Sequence, residues 1–240
     1  MNKETKTNKT KVLCVQGAGL GNILQCLPAI GSLLEEKYKV DLLVNCNSNG
    51  DDFDVVKMPG MGNIFTNKSQ LTDTYDIQLN GPHACKFQTQ RAKKVLDCRI
   101  KYQQDIEESS VFYDLVQSIG VTAPRQKIKL NLPKTGYDPP KGTVAIFPGC
   151  KPEWYMKRWH LYDELCKKFP HVMLFGTRDD MYPKHRNWFK KAWMWPDNAE
   201  IFYGNLREVA YAISKCEFFI GNDGGVGHLA AATGIPTFII

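Results

Sequence analysis

Twice in this chain an apolar run breaks on a cluster of glycines and passes directly into a helix-patterned segment. The first instance is Lys11 to Gln16, then Gly17-Ala18-Gly19-Leu20-Gly21-Asn22, then a helix pattern from Gly21 to Glu36. The second is Phe218-Phe219-Ile220, then Gly221-Asn222-Asp223-Gly224-Gly225, then Val226 to Ala232, stopped by Gly234 and followed by a further apolar run from Thr237 to Ile240. A strand that feeds a helix through a glycine turn builds a parallel sheet with helices on its faces. It also leaves unpaired backbone N–H groups and the positive end of a helix dipole at the turn. Such a place favours a phosphate or carboxylate, and glycines let the ligand approach the main chain.

The rest of the chain supports the same class. In the first half, strands are expected at Val40 to Asn45, Asp54 to Met58, Tyr75 to Leu79 and Lys127 to Leu130, with helices at Ala84 to Leu96 and Ser109 to Ile119. In the second half they are expected at Thr143 to Phe147, Val172 to Phe175 and Glu200 to Phe202, with helices at Trp159 to Lys168, Pro183 to Trp193 and Leu206 to Ser214. Prolines and glycines concentrate between Leu132 and Gly142, which reads as a linker. The expected organisation is therefore a polar tail over residues 1–10, a Rossmann-like domain over 11–131, the linker over 132–142 and a second Rossmann-like domain over 143–240. The chain stops inside an apolar strand, where a terminal carboxylate is costly to desolvate. That suggests a shortened version of a longer architecture.

Composition narrows the classes. With 240 residues, 43% apolar and 23% charged, the chain has ordinary globular content. The opening residues lack a signal-peptide apolar core, and no run approaches membrane-spanning length, so the cytoplasm is the expected location. The eight cysteines lie scattered without CxxC spacing and read as reduced core residues. A net charge of +6 suits an anionic partner without choosing among nucleotide, phosphorylated glycan, membrane face or nucleic acid.

A third cluster runs Phe147-Pro148-Gly149-Cys150-Lys151 to Lys157-Arg158-Trp159, from the end of a strand into a helix pattern. It sets Lys157 and Arg158 where ligands bind in open α/β sheets, and a cation there can neutralise a departing diphosphate. Read alone, the same residues also suit a solvated basic loop anchored by Trp159. Likewise Asp223 also suits a helix cap, and His228 a packed first-turn histidine. The first glycine turn is no clean GxGxxG and has no acidic partner for a ribose on the next strand, which argues against a nicotinamide cofactor.

Taken in order, Gly19-Leu20-Gly21-Asn22, then Pro148-Gly149 with Lys157-Arg158-Trp159, then Asp223-Gly224-Gly225-Val226-Gly227-His228-Leu229-Ala230-Ala231, the three clusters resemble glycosyltransferase family 9, the ADP-heptose:lipopolysaccharide heptosyltransferases. The resemblance implies a GT-B fold, α/β, with two Rossmann-like domains whose parallel sheets face a cleft, here apparently without the family's C-terminal helix. It implies a metal-independent, inverting transfer from a nucleotide-diphosphate sugar, the donor substrate, to a glycan or lipopolysaccharide-type acceptor, with the protein peripheral to the inner membrane face. No cofactor beyond the donor is expected.

By position, the resemblance puts Lys157 on the donor diphosphate with Gly224 and Gly225, His228 near it, and Asp223 on the sugar hydroxyls. Gly19 and Gly21 shape the first turn, Arg158 is a second cation, and Asp180 is a candidate for a ribose hydroxyl. The catalytic set is Asn22, Lys157 and Asp223. Asn22 stands where the family has its proposed catalytic aspartate, and an amide takes no proton from a hydroxyl at neutral pH. Its turn is also similar to that of GDP-fucose-dependent fucosyltransferases, so a substrate-positioning role is the other expectation. A non-catalytic sugar-nucleotide or glycan-binding relative is the alternative reading, and a nucleic-acid-modifying glycosyltransferase a more distant one.

Overall fold

The computed structural model describes residues 9–17, 19–45, 53–84, 91–99, 107–182 and 193–240. The chain divides into two compact units, Met1–Lys129 and Leu130–Ile240. The first carries strands β1 (Lys11–Gly17), β2 (Lys39–Asn45), β3 (Ile64–Phe65), β4 (Tyr75–Asn80) and β5 (Ala92–Asp97), with helices α1 (Leu20–Glu35) and α2 (Glu108–Gln117). Its strands pair in parallel in the order β3-β2-β1-β4-β5. Central β1 is buried along Val12 to Gly17, as a strand covered on both faces must be. Leu13 and Val15 pack with Leu43, Leu71 and Tyr75, which leaves Cys14 and Gln16 facing the opposite side of the sheet.

Helix α1 buries Ile23, Leu24, Leu27 and Ile30 on one stripe. Its far end is strapped by the segment that follows α2. The Glu36 carboxylate accepts the N–H groups of Thr122 and Ala123 at 2.6 and 2.8 Å, which hold its acidity below the ordinary carboxylate range. The Gln126 N–H reaches the Pro28 carbonyl at 3.0 Å.

The second unit carries β6 (Thr143–Phe147), β7 (His171–Phe175), β8 (Ala199–Phe202), β9 (Phe218–Gly221) and β10 (Thr237–Ile239). Between them lie α3 (Tyr162–Cys166), α4 (Arg178–Met181), α5 (Leu206–Ser214) and α6 (Gly225–Thr233). The sheet is again wholly parallel, in the order β10-β9-β6-β7-β8. Val144, Ile146, Tyr162, Val172, Leu174, Met181 and Trp193 form its core. Gly234, at φ 91°, ends α6 in the left-handed conformation that glycine adopts at least cost.

In both units the strand order reverses direction beside the first strand, between β1 and β4 and between β6 and β9. The carboxyl ends of strands at such a reversal form the ligand crevice of open α/β sheets.

Several elements differ from the sequence expectation. The helix expected over Ala84 to Leu96 is replaced at its described end by β5, because the edge of β4 offers ladder hydrogen bonds to it. Its lysines Lys93 and Lys94 suit a sheet edge. The segment expected as a strand from Asp54 is a 3-10 turn, Phe53–Val56, that buries Phe53, Val55 and Val56. Lys127 to Leu130 runs without strand pairing. The helix expected from Trp159 begins only at Tyr162. The helix expected at Pro183 to Trp193 falls almost wholly outside the described residues. The six described cysteines are all free, and burial pushes the thiols of Cys98, Cys166 and Cys216 up to about 12.

Asp41, on β2 and 4% exposed, is the acid on which the first sheet closes. It accepts the Tyr75 hydroxyl at 3.0 Å and the Asn63 N–H at 2.7 Å, with the Lys11 ammonium at 3.4 Å. Tyr75→Phe removes a donor from a buried carboxylate. A loss of about 2 kcal/mol is expected in chemical denaturation, and a change within error would place the tyrosine outside the sheet's stabilising network.

Candidate functional site

The second unit's crevice is tied by one buried side chain. Asn222 follows β9 and is fully buried. Its Nδ2 donates to the Pro148 and Gly149 carbonyls at 2.9 and 3.0 Å. Its Oδ1 accepts the Tyr162 hydroxyl at 2.8 Å and, at the longer 3.4 Å, the Trp159 N–H. All four capacities of the amide are used. The turn after β6, the approach to α3 and the turn after β9 are thereby pinned to one another.

From this knot two functional groups project. Gly224 is the N-cap of α6, in extended conformation, and no side chain caps the helix. The Gly227 N–H bonds back to the Gly224 carbonyl at 3.0 Å, and the N–H groups of Gly225 and Val226 stand at the dipole's positive end with no described partner. Asp223 precedes this cap without capping it, and its carboxylate is 57% exposed. Lys157 Nζ lies 2.5 Å from Asp223 Oδ2. The same ammonium sits 4.4 Å from the centre of the Trp154 ring, which also carries Lys151 at 5.6 Å. An exposed pair of this kind contributes at most about 1 kcal/mol, so it can open for a ligand at little cost. Lys157, Asp223, Gly224 and Gly225 are thus brought together, with His228 one turn into α6, half-buried.

Arg158 and Asp180 take other positions. The Arg158 side chain is 6% exposed and points into the fold. It donates to the Asp180 carbonyl at 3.0 Å and the Cys150 carbonyl at 3.4 Å, with Asp180 Oδ1 at 3.5 Å. The other Asp180 oxygen accepts the Thr177 N–H and hydroxyl, each at 2.8 Å, in the capping box of α4. The geometry makes this pair a brace beneath the crevice. It engages the charged groups that the sequence suggested for phosphate and ribose.

In the first unit, Gly19 is the N-cap of α1 and Asn22 its third residue. The Asn22 amide folds back over the turn, where a Cβ on Gly19 would lie 3.2 Å from Nδ2. Gly21 is buried in the helix start. Ala18 is outside the described residues. Behind the turn, His83 Nε2 lies 2.6 Å from Glu108 Oε1.

Sequence reasoning missed Asn222, Trp154 and the His83–Glu108 pair. For Asn222 a signal existed, a polar residue at the end of an apolar strand. Trp154 and the pair carry no spacing that announces them. Reading the site as free of metal also passed over one Asp-x-Asp spacing, Asp52-Phe53-Asp54, of which Asp52 is outside the described residues. No group of three or more candidate metal ligands occurs among the described residues. A cavity lined by Lys9, Lys11, Lys37, Lys39 and Asp41 lies at the amino-terminal end of the first sheet, opposite that unit's own crevice. No helix among the described residues is long and apolar enough to cross a membrane.

Comparison with known proteins agrees with this architecture. E. coli heptosyltransferase WaaC with ADP-2-deoxy-2-fluoro heptose is 15% identical, with a TM-score of 0.62 over 96% of this chain and 88% of that one. A glycosyltransferase family 9 structure from Veillonella parvula DSM 2008 gives 14% identity and a TM-score of 0.67, over 96% and 80%. E. coli ADP-heptose lps heptosyltransferase II gives 15% and 0.64, over 96% and 84%. At these identities the likeness establishes the fold, which is GT-B. A sequence search of curated proteins gave no match. Residues 117–239 match glycosyltransferase family 9 (heptosyltransferase), and with the paired parallel sheets and the uncapped helix after Asp223 this settles the class: the chain is a glycosyltransferase belonging to family 9.

Proposed function

We propose that the protein moves a sugar from a nucleotide-diphosphate sugar to a lipopolysaccharide-type glycan, with inversion at the anomeric carbon. The observation that carries the reading is the uncapped start of α6 beside the Lys157–Asp223 pair. In the transfer, the acceptor oxygen bonds to the anomeric carbon as the bond to the diphosphate oxygen breaks, and the electron pair leaves with the nucleoside diphosphate. Stabilising that charge is the main task of the site. The N–H groups of Gly224 and Gly225 and the Lys157 ammonium supply the positive charge, which a divalent ion supplies elsewhere.

Lys157 does this by changing partner. With the donor absent it rests on Asp223; a diphosphate draws it away and leaves the Asp223 carboxylate free to accept sugar hydroxyls. Trp154, in contact with the Lys157 and Lys151 ammonium groups, offers an aromatic surface for the donor at the same place. Arg158 and Asp180 hold the Lys157 segment in position, and His228 adds a polar group near the phosphates. Relatives of the same fold are solved with ADP and with an ADP-heptose analogue, so an ADP-sugar is the first donor to test. An acceptor of that class, if used, puts the working position of the enzyme at the inner face of a membrane, which is part of this proposal. A second reading, a binder without turnover, rests on one residue: Asn22 offers an amide where a base is needed.

Calorimetry with ADP, GDP, UDP and their sugars should reveal one preferred nucleoside diphosphate, and absence of any binding would sink the reading. Lys157→Ala should weaken that binding roughly ten- to hundred-fold, the range for a charge-assisted hydrogen bond, with melting temperature unchanged. Arg158→Ala should behave in the opposite way. Leaving Asp180 without its partner should cost about 3 kcal/mol of stability, visible first as a lower melting temperature.

A further inference from the structure

The first unit contains a polar group of residues that the donor site does not use. Its crevice lies where β1 and β4 end, beside the Gly17 to Asn22 turn. Gln16, the next-to-last residue of β1, is fully buried, and neither atom of its amide finds a partner among the described residues. It fills the space left by Gly81, where a Cβ would stand 2.0 Å from Gln16 Oε1. Buried amides are rarely left unpaired, so this one marks a position that takes a polar partner.

Two residues on, His83 packs against the glycine turn: a Cβ on Gly17 would meet the His83 carbonyl oxygen at 2.4 Å and its Cβ at 2.7 Å. The His83 ring and the Glu108 carboxylate, 2.6 Å apart, are 31% and 28% exposed. With the Glu108 carboxylate on Nε2, the neutral tautomer that pairs with it carries its proton on that nitrogen and keeps the lone pair on Nδ1. No described residue bonds to Nδ1. A neutral imidazole with a free lone pair, backed by an anion that stabilises its protonated form, is the arrangement of a general base.

We propose that His83, oriented by Glu108, is the base that takes the proton of the acceptor hydroxyl. This inference rests on the transferase reading above and supplies the group that Asn22 cannot be. As the acceptor oxygen bonds to the anomeric carbon, its proton passes to His83 Nδ1, while the pair of electrons from the breaking carbon–oxygen bond leaves on the diphosphate. Asn22 then orients the acceptor from the same turn.

The test uses the full chain, the nucleotide sugar found to bind, and deacylated lipopolysaccharide core as acceptor, with nucleoside diphosphate release as readout. His83→Ala should lose about a hundred-fold or more of the rate while nucleotide affinity stays unchanged, and added imidazole should restore part of the loss. Glu108→Gln should lose less. Survival of the rate in His83→Ala, or a loss that imidazole does not repair in a folded variant, overturns the assignment, as does wild-type donor binding without transfer or hydrolysis. Should His83→Ala fail to fold, nitrogen NMR of the wild-type ring decides: a proton on Nε2 and none on Nδ1 is expected, and the opposite tautomer overturns it. If the wild type binds no nucleotide at all, the transferase reading itself fails and the base role falls with it.

Discussion

The second unit depends on the side-chain amide of Asn222. A buried amide is costly unless all its donors and acceptors are met, and here the backbone of two other loops and a tyrosine meet them. The requirement works in both directions. Satisfying the amide draws the turn after β6, the approach to α3 and the turn after β9 to one point at the carboxyl end of the sheet. The same bonds leave the residues on either side of the knot free to face outward, so Asp223 and Lys157 meet at the surface. The start of α6 is left without a cap.

Burial separates the two cations of the crevice. Lys157 and Arg158 are adjacent in sequence and carry the same charge, yet their side chains are 32% and 6% exposed. The exposed one has an exchangeable partner on the surface. The buried one has fixed partners on three backbone or carboxylate oxygens, and its charge is part of the fold. A ligand's phosphate can compete for the first at small cost, whereas drawing out the second would leave the Asp180 carboxylate without its cation, with only Thr177 on its other oxygen.

Much of the architecture was legible because parallel strands buried on both faces read as apolar runs, and because glycines mark where such strands turn into helices. The strands β1, β2, β4, β6, β7, β9 and β10 and the helices α1, α2, α5 and α6 follow from that pattern nearly to their ends. The failures fall where tertiary contacts outweigh local preference. β5 is written in helix-favouring Ala, Lys and Leu and becomes a strand because β4 has a free edge. Trp159 has helix-compatible neighbours, yet α3 begins only at Tyr162, with the Trp159 N–H turned toward Asn222 Oδ1. The candidate site was legible as a contiguous stretch, Asp223 to His228, whose glycine turn and helix start the structure contains. The burial of Arg158 and the meeting of His83 with Glu108, 25 residues apart in the chain, belong to the three-dimensional structure alone.

The central claim is that the donor's diphosphate lies on the start of α6 and takes Lys157 from Asp223. A structure determined with the tightest-binding nucleoside diphosphate tests it most directly. The account predicts phosphate oxygens within hydrogen-bond distance of the Gly224 and Gly225 N–H groups, with Lys157 Nζ on the diphosphate and Asp223 released. A diphosphate bound away from α6, or a Lys157–Asp223 pair that stays closed beside it, would contradict the account.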